Sequence, residues 1–242
     1  MITFTIEKPK EISFGIQNVD LGADAYDRGY EEGEAEGYNK GVAEYQWVQY
    51  GKSLFAMFEN ATFPENTEIM LKMPNFSHRM DSAFRAAKKL KKITLVCENW
   101  NGYVYGVTAS QAFATMTAGL EVIDLSKFNV IYGDVNLMFS SNYSMREIIG
   151  ELNFSLSTNN SSFLSGCGKL EEIRFVAGCL KTGANFSPCG KLSDSSIQSI
   201  IDGLADLTGQ TAQTLTLHAT VGGKLTQAQK DAASAKNWTL AY

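Results

Sequence analysis

One phrase recurs four times in this chain: phenylalanine, six or seven residues to an aliphatic side chain, two residues of any kind, then isoleucine. It reads Phe84…Leu90-x-x-Ile93-x-Leu95, Phe113…Leu120-x-x-Ile123-x-Leu125, Phe139…Met145-x-x-Ile148 and Phe163…Leu170-x-x-Ile173-x-Phe175. The four isoleucines are 30, 25 and 25 residues apart. A period of that size belongs to stacked supersecondary units, none of which buries its apolar face alone.

Within a strand, Ile-x-aliphatic places two side chains on one face and turns the residue between them outward. The upstream phenylalanine falls in segments such as residues 81–90, where Phe84, Ala87 and Leu90 recur at helical spacing, so the pattern predicts a short helix or turn behind each strand. Stacking such units predicts an α/β solenoid of about five parallel strands. Ile69-x-Leu71 supplies a degenerate first strand and Leu215-x-Leu217 a last one. Gly150 stands where the third phrase needs its final aliphatic residue, which predicts a bulge there.

On these residues the chain resembles the leucine-rich repeat family, and more narrowly its bacterial BspA-like subclass, whose phrase runs Ala-Phe-x-x-Cys-x-x-Leu-x-x-Ile-x-Leu. The closest local match is Phe163-Leu-Ser-Gly-Cys167-Gly-Lys-Leu170-Glu-Glu-Ile173-Arg-Phe175, with Ala83-Phe84 and Ala112-Phe113 giving the Ala-Phe start elsewhere. The resemblance covers about residues 66–219. The chain departs from the phrase at Gly150, at Ala87 and Thr117 in the cysteine position, and in a final interval of 42 residues from Ile173 to Leu215. The resemblance implies a leucine-rich-repeat solenoid that binds proteins. The resulting organisation is an N-terminal strand and helix segment (1–63), a solenoid (64–219) and a C-terminal α/β cap (220–242).

The N-terminal segment carries its own signature. Between Ala25 and Trp47 glycines fall at Gly29, Gly33, Gly37 and Gly41, and tyrosines at Tyr26, Tyr30, Tyr38 and Tyr45. Four-residue glycine spacing makes a slowly drifting stripe on a helix, at a cost of about 1 kcal/mol per glycine relative to alanine unless close packing offsets it. Such a helix needs a partner: the first repeat, which it would cap, other copies, with which it would oligomerise, or a larger particle, on which it would dock. The glutamates at 31, 32, 34 and 36 exclude a membrane span. Met1–Ile6 and Ile12–Ile16 alternate apolar and polar residues, as edge strands or a hairpin would.

At the other end, Ser193 or Asp194 is a plausible N-cap for a helix carrying Ile197, Ile200, Ile201 and Leu204. A strand at 214–219, a helix at 227–236 capped by Thr226, and a last strand at 237–242 complete a cover for the repeat. The run from Leu215 to Lys230, the closing Asn237–Tyr242 and the Gly/Tyr helix are similar to segments of repeat proteins encoded by phages and prophages of gut Firmicutes. That similarity implies a virion component.

Several functions are disfavoured. The chain has 44% hydrophobic and 19% charged residues with a formal net charge of −5, and no run of about 18 apolar residues. Its start lacks the basic stretch and apolar core of a secretory signal, an expectation that sets it apart from exported members of the resembled subclass. Cys97, Cys167, Cys179 and Cys189 form no Cys-x-x-Cys pair, and His78 and His218 are far apart, so neither a metal site nor a cofactor is implied. Cys167 reads as a core residue, and the pairing of Cys179 with Cys189 stays open because it depends on exposure to an oxidising exterior. Nucleophile elbow, phosphate loop and His-Glu-x-x-His motifs are absent, which points away from an enzyme. The basic cluster Lys88-Lys89-x-Lys91-Lys92 is too small to suggest nucleic acid in an acidic chain.

What remains is binding. The residues expected to face outward from the strand layer are Glu68, Met70, Lys92, Thr94, Val122, Asp124, Glu147, Ile149, Glu172, Arg174, Thr214 and Thr216. They mix charge, short polar groups and apolar side chains, as a protein-recognition surface does and as a merely solvated sheet face also can. The expected partners are virion proteins or a host surface component. The expected role is a tail, baseplate or head-decoration protein, with a bacterial cell-surface adhesion protein as the alternative.

Overall fold

The Ile-x-aliphatic phrases form strands that lie side by side in chain order. The computed structural model describes residues 2–5, 44–45, 58–73, 80–97, 109–116, 119–127 and 132–242. The first sheet is built from β1 (Ile2–Thr5), β2 (Glu44–Tyr45), β3 (Thr62–Met73), β4 (Lys88–Cys97), β5 (Val122–Lys127), β7 (Glu147–Leu152) and β9 (Glu172–Phe175). Its order is β2-β1-β3-β4-β5-β7-β9. The five strands from β3 to β9 are parallel, and β1 runs antiparallel between β2 and β3. The alternation in Met1–Ile6 suits an edge strand or a hairpin; the strand formed there, Ile2–Thr5, has neighbours on both sides. Tyr45 was expected on the glycine-striped helix and lies in strand β2, paired with Ile2. Tyr26, Gly29, Tyr30, Gly33, Gly37, Tyr38 and Gly41 fall outside the described residues, as does the strand expected at Ile12–Ile16.

The repeat phrase sets the register. Ile69, Ile93, Ile123 and Ile148 pair in succession across β3, β4, β5 and β7. All four are buried, as are Leu95, Leu125, Ile173 and Phe175, while the residues between them are exposed or half-buried. Period-2 burial of this kind follows from the pleat and needs one apolar layer behind the sheet.

That layer is not helical. In residues 80–87, the N–H groups of Ala83, Arg85 and Ala87 donate to the carbonyls of Met80, Ser82 and Phe84, closing one turn after another. Ser82 and Ala86 have φ of 56°, Gln111 and Thr115 55° and 57°, Leu137 and Ser141 60° and 59°. A left-handed residue at every fourth position stops a helix from propagating, at a cost of about 1 kcal/mol or more each. The compensation lies between units: Ser82, Phe84 and Ala86 donate to Ser110, Ala112 and Ala114 of the next turn segment, and Phe139 and Ser141 to Phe163 and Ser165. Three-residue spacing fits both a helix and a chain of turns; of the short helix or turn expected in residues 81–90, the structure has the turns, stacked as a ladder.

Behind the strands the phenylalanines stack. Phe58 and Phe84 lie 4.9 Å apart, and Phe84–Phe113 and Phe113–Phe139 5.6 Å apart with rings 11° and 6° from parallel. These separations approach the roughly 4.8 Å between strands, so each unit repeats its neighbour by translation. Asn142, fully buried, ties the turns together: its Nδ2 donates to the carbonyls of Phe113 (2.7 Å) and Phe139 (2.8 Å), and its Oδ1 accepts from Met116 N–H.

Regularity ends at Gly150. Its φ is +100°, and a Cβ there would come within 2.7 Å of the Ser126 backbone. The pairing of β7 with β9 slips between Glu147 and Glu151, four residues of β7 facing two of β9, where the sequence expected a bulge. Outside the first sheet lie β6 (Tyr132–Asp134) paired with β8 (Leu156–Asn159), and a third sheet of β10 (Ala184–Phe186), β11 (Gln213–Leu217) and β12 (Trp238–Ala241).

The free edge of β9 is closed by helix α1 (Asp194–Gly203). Ser196 Oγ accepts from Ile173 N–H at 3.0 Å and Ser199 Oγ from Phe175 N–H at 2.9 Å, the donors a sixth strand would have used. The Leu215-x-Leu217 strand therefore does not extend the first sheet. Ser193 caps α1 through Ser196 N–H. A helix the sequence did not suggest, α2 (Ala219–Lys224), starts at His218, whose Nδ1 accepts from Thr220 N–H. Helix α3 (Gln227–Ala235) opens on a capping box of Thr226 and Gln229.

Cys167, Cys179 and Cys189 are buried free thiols, so Cys179 and Cys189 form no bridge. Burial pushes the Cys167 thiol up to about 12, and raises Cys189 as well, with Cys167 nearby adding to the effect.

Candidate interaction face

The outward strand residues form rows across the first sheet. Glu68, Lys92, Val122, Glu147 and Glu172 pair in succession from β3 to β9, and Met70, Thr94, Asp124 and Ile149 form the row beside them. Glu68 and Arg174 are exposed and the others half-buried. Arg174 pairs with Glu151 because of the bulge. Thr214 and Thr216 depart from the expected array: β11 belongs to the third sheet, where they pair with Thr239 and Ala241 of β12.

Parts of this face are already engaged. Asp124 accepts from Ser126 N–H at 3.0 Å, and Glu172 Oε2 accepts from the hydroxyls of Ser195 and Ser196 at 3.2 Å each. The first closes an Asx turn, a device that recurs at Asp134, Asn153, Asn159, Asn185 and Asp206. The second ties β9 to α1. Among the described residues, Glu68, Lys92, Glu147 and Arg174 make no side-chain hydrogen bond or ion pair.

A further row, which the sequence pattern did not single out, lies at the second place of each phrase. Lys91, Glu121, Arg146 and Glu171 follow one another through backbone hydrogen bonds from Glu121 N–H to Lys91 O (2.9 Å), Arg146 N–H to Glu121 O (2.8 Å) and Glu171 N–H to Arg146 O (2.8 Å). Their charges alternate along the row. Aligning the four phrases and reading down the column after the leading aliphatic residue would have found it.

The basic cluster is partly neutralised, since Lys89 pairs with Glu65 at 3.0 Å, and Arg85 nearby with Glu59 at 2.8 Å. Among the described residues no group of three or more His, Cys, Asp or Glu side chains could hold a metal ion, and no helix is long and apolar enough to cross a membrane. An open groove lies between Asp194, Ile197, Lys224, Thr226 and Gln229. Its Thr226 hydroxyl and Gln229 amide are spent on the α3 capping box and on Gln198.

No family model matches the chain, and none of the curated proteins or solved structures compared with it matches either.

Proposed function

We propose that this chain is a leucine-rich-repeat solenoid of the BspA-like kind whose strand face binds protein, serving as a structural or host-recognition component of a phage or prophage particle without enzymatic activity. The observation that carries the reading is the in-register row Glu68–Lys92–Val122–Glu147–Glu172, continuous over five parallel strands. A rigid sheet presents side chains at fixed spacing, and repeat proteins use such extended faces for recognition. The mixture of charged, polar and apolar groups suits a protein partner better than a lipid or a nucleic acid. Placement in a particle is supported by the likeness of the Gly/Tyr segment and the closing residues to phage-encoded repeat proteins.

The test is fractionation of a culture of the bacterium that encodes the chain, after prophage induction, with an antibody against the full chain. Stoichiometric recovery with purified particles is the expected result. Recovery with the cell envelope instead would establish the adhesion alternative, and recovery with neither fraction would overturn both placements.

A further inference from the structure

We propose that the third sheet continues into a second copy of this chain, β12 pairing antiparallel with β12 of the other copy about a two-fold axis perpendicular to the sheet. The inference goes beyond the strand face of the first sheet and holds whichever protein that face binds.

The molecule treats its sheet edges differently. At β9 the hydroxyls of Ser196 and Ser199 take the backbone donors that a further strand would use. At β12 there is no such closure: it lies at the end of its sheet, and its backbone bonds to no described residue outside β11. The devices that blunt an edge are missing too, since β12 has no charge, no proline and no bulge. Lys236, the nearest charged residue in sequence, is drawn away onto α1, where its Nζ donates to the carbonyls of Ile201 (3.1 Å) and Asp202 (3.2 Å). An open edge presents backbone donors and acceptors at strand spacing, so what covers it is another extended strand.

The side chains say whose strand it is. Trp238, Leu240 and Tyr242 alternate with Thr239 and Ala241 and so share one face of the sheet. That face is the core face: Trp238 is buried, with its Nε1–H donating to the Ala205 carbonyl, and the Tyr242 ring lies on Gly222 of α2, where it leaves no room for a Cβ. Leu240 packs against the core but is only half-buried, whereas Leu215, opposite it on β11, is fully buried. Tyr242 is exposed. The apolar layer thus thins toward β12, as it does where no next strand flanks it.

A two-fold axis perpendicular to the sheet reverses strand direction and keeps the two faces in common. Every register it permits sets the row Trp238, Leu240, Tyr242 beside the same row of the second copy. An axis along the strand would turn the second copy over and set that row beside Thr239 and Ala241. With no charge on β12, the two copies meet without repulsion. A second β12 therefore supplies both things the edge lacks, backbone partners and an apolar row. Four residues per strand make a small contact, so the dimer is weak.

The experiment is sedimentation equilibrium of the full chain from micromolar to millimolar concentration, with Thr239→Lys, Thr239→Glu and an equimolar mixture of the two. Thr239 is exposed, so neither substitution disturbs the core. A wild-type dimer is expected, weakened about tenfold by each substitution because like charges then stand on adjacent strands. The mixture sets opposite charges across the axis and is expected to associate at least as tightly as wild type. Amide exchange in residues 238–241 should slow as the wild-type dimer forms. A monomer throughout, a dimer indifferent to both substitutions, or variants that do not recover on mixing overturns the proposal. So does a dimer that forms without slower exchange in β12. The particle reading does not depend on this edge and stands or falls separately, by fractionation.

Discussion

Two groups of phenylalanines in one core pack in opposite ways. Phe58, Phe84, Phe113 and Phe139 lie plate on plate, within 19° of parallel. Phe154, Phe163, Phe175 and Phe186 meet edge to face, at angles of 71° to 89°. Both geometries are favourable for aromatic rings, so ring chemistry does not choose between them. The backbone does. Where units repeat by translation, equivalent rings stack; past Gly150 the rings no longer superpose, and Phe163, the ring of the fourth phrase, joins Phe154, Phe175 and Phe186 in a cluster. A stack reports symmetry, and a cluster reports its loss.

The largest effect that breaks this contrast is removal of a middle plate. Phe113 is fully buried and touches a ring on either side. Phe113→Ala should cost about 4 kcal/mol in urea denaturation, from lost burial and a cavity the rigid neighbours cannot fill. Phe58→Ala, at the end of the stack, should cost about half as much.

Next comes the residue at which translation ends. In Gly150→Ala the new Cβ meets the Ser126 backbone while the residue keeps a positive φ, so neither side can yield cheaply. A loss of about 3 kcal/mol is expected by the same measurement, from strain together with overpacking. A loss below 1 kcal/mol would mean that β7 can straighten, and that the end of regularity is not set at this position.

Asn142 joins the plates of the stack through their backbones. Asn142→Leu leaves the Phe113 carbonyl without this donor and Met116 N–H without its acceptor in a dry core. About 2 kcal/mol is expected, and hydrogen exchange at Met116 should quicken relative to the turn ladder around it.

Much of this was legible in the sequence, and the misses share a cause. The inward and outward strand positions were readable because period 2 leaves one solution once Ile93 and Leu95 must be buried. The bulge at Gly150 was readable because glycine replaced an expected apolar residue. The turn ladder was legible only as one of two alternatives, since Phe84, Ala87 and Leu90 satisfy a helix as well as successive turns, and nothing local announces that Ser82 and Ala86 will take positive φ. Phe58 escaped because eleven residues separate it from Ile69, against nine or ten in the other phrases. β3 absorbs the extra length in register shifts between Thr62 and Glu68. Thr214 and Thr216 were misplaced because hydroxyls of α1 close the edge of β9, a long-range pairing that periodicity does not encode. Reading each phrase along the chain also hid the alternation of Lys91, Glu121, Arg146 and Glu171, which exists only between units.

The junction of the two regions is marked by a thiol, and its titration gives the smallest effect. Cys167 Sγ donates to the carbonyl of Phe139 at 3.0 Å, the same carbonyl that receives Asn142 Nδ2, so the last plate of the stack is held from both sides. Burial holds the native Cys167 thiol protonated up to about pH 12, whereas in the unfolded chain it titrates near pH 8.5. Below the unfolded value both states keep the proton and stability is independent of this group. Above it the unfolded chain releases a proton that the native chain retains, so stability falls as pH rises. The slope approaches about 1.4 kcal/mol per pH unit for each such thiol. Urea midpoints measured between pH 8 and 10.5 should decline, and Cys167→Ala, though less stable at neutral pH, should decline less steeply. Equal slopes for the two proteins would mean that solvent reaches Cys167, and that the end of the regular stack is looser than its hydrogen bonds imply.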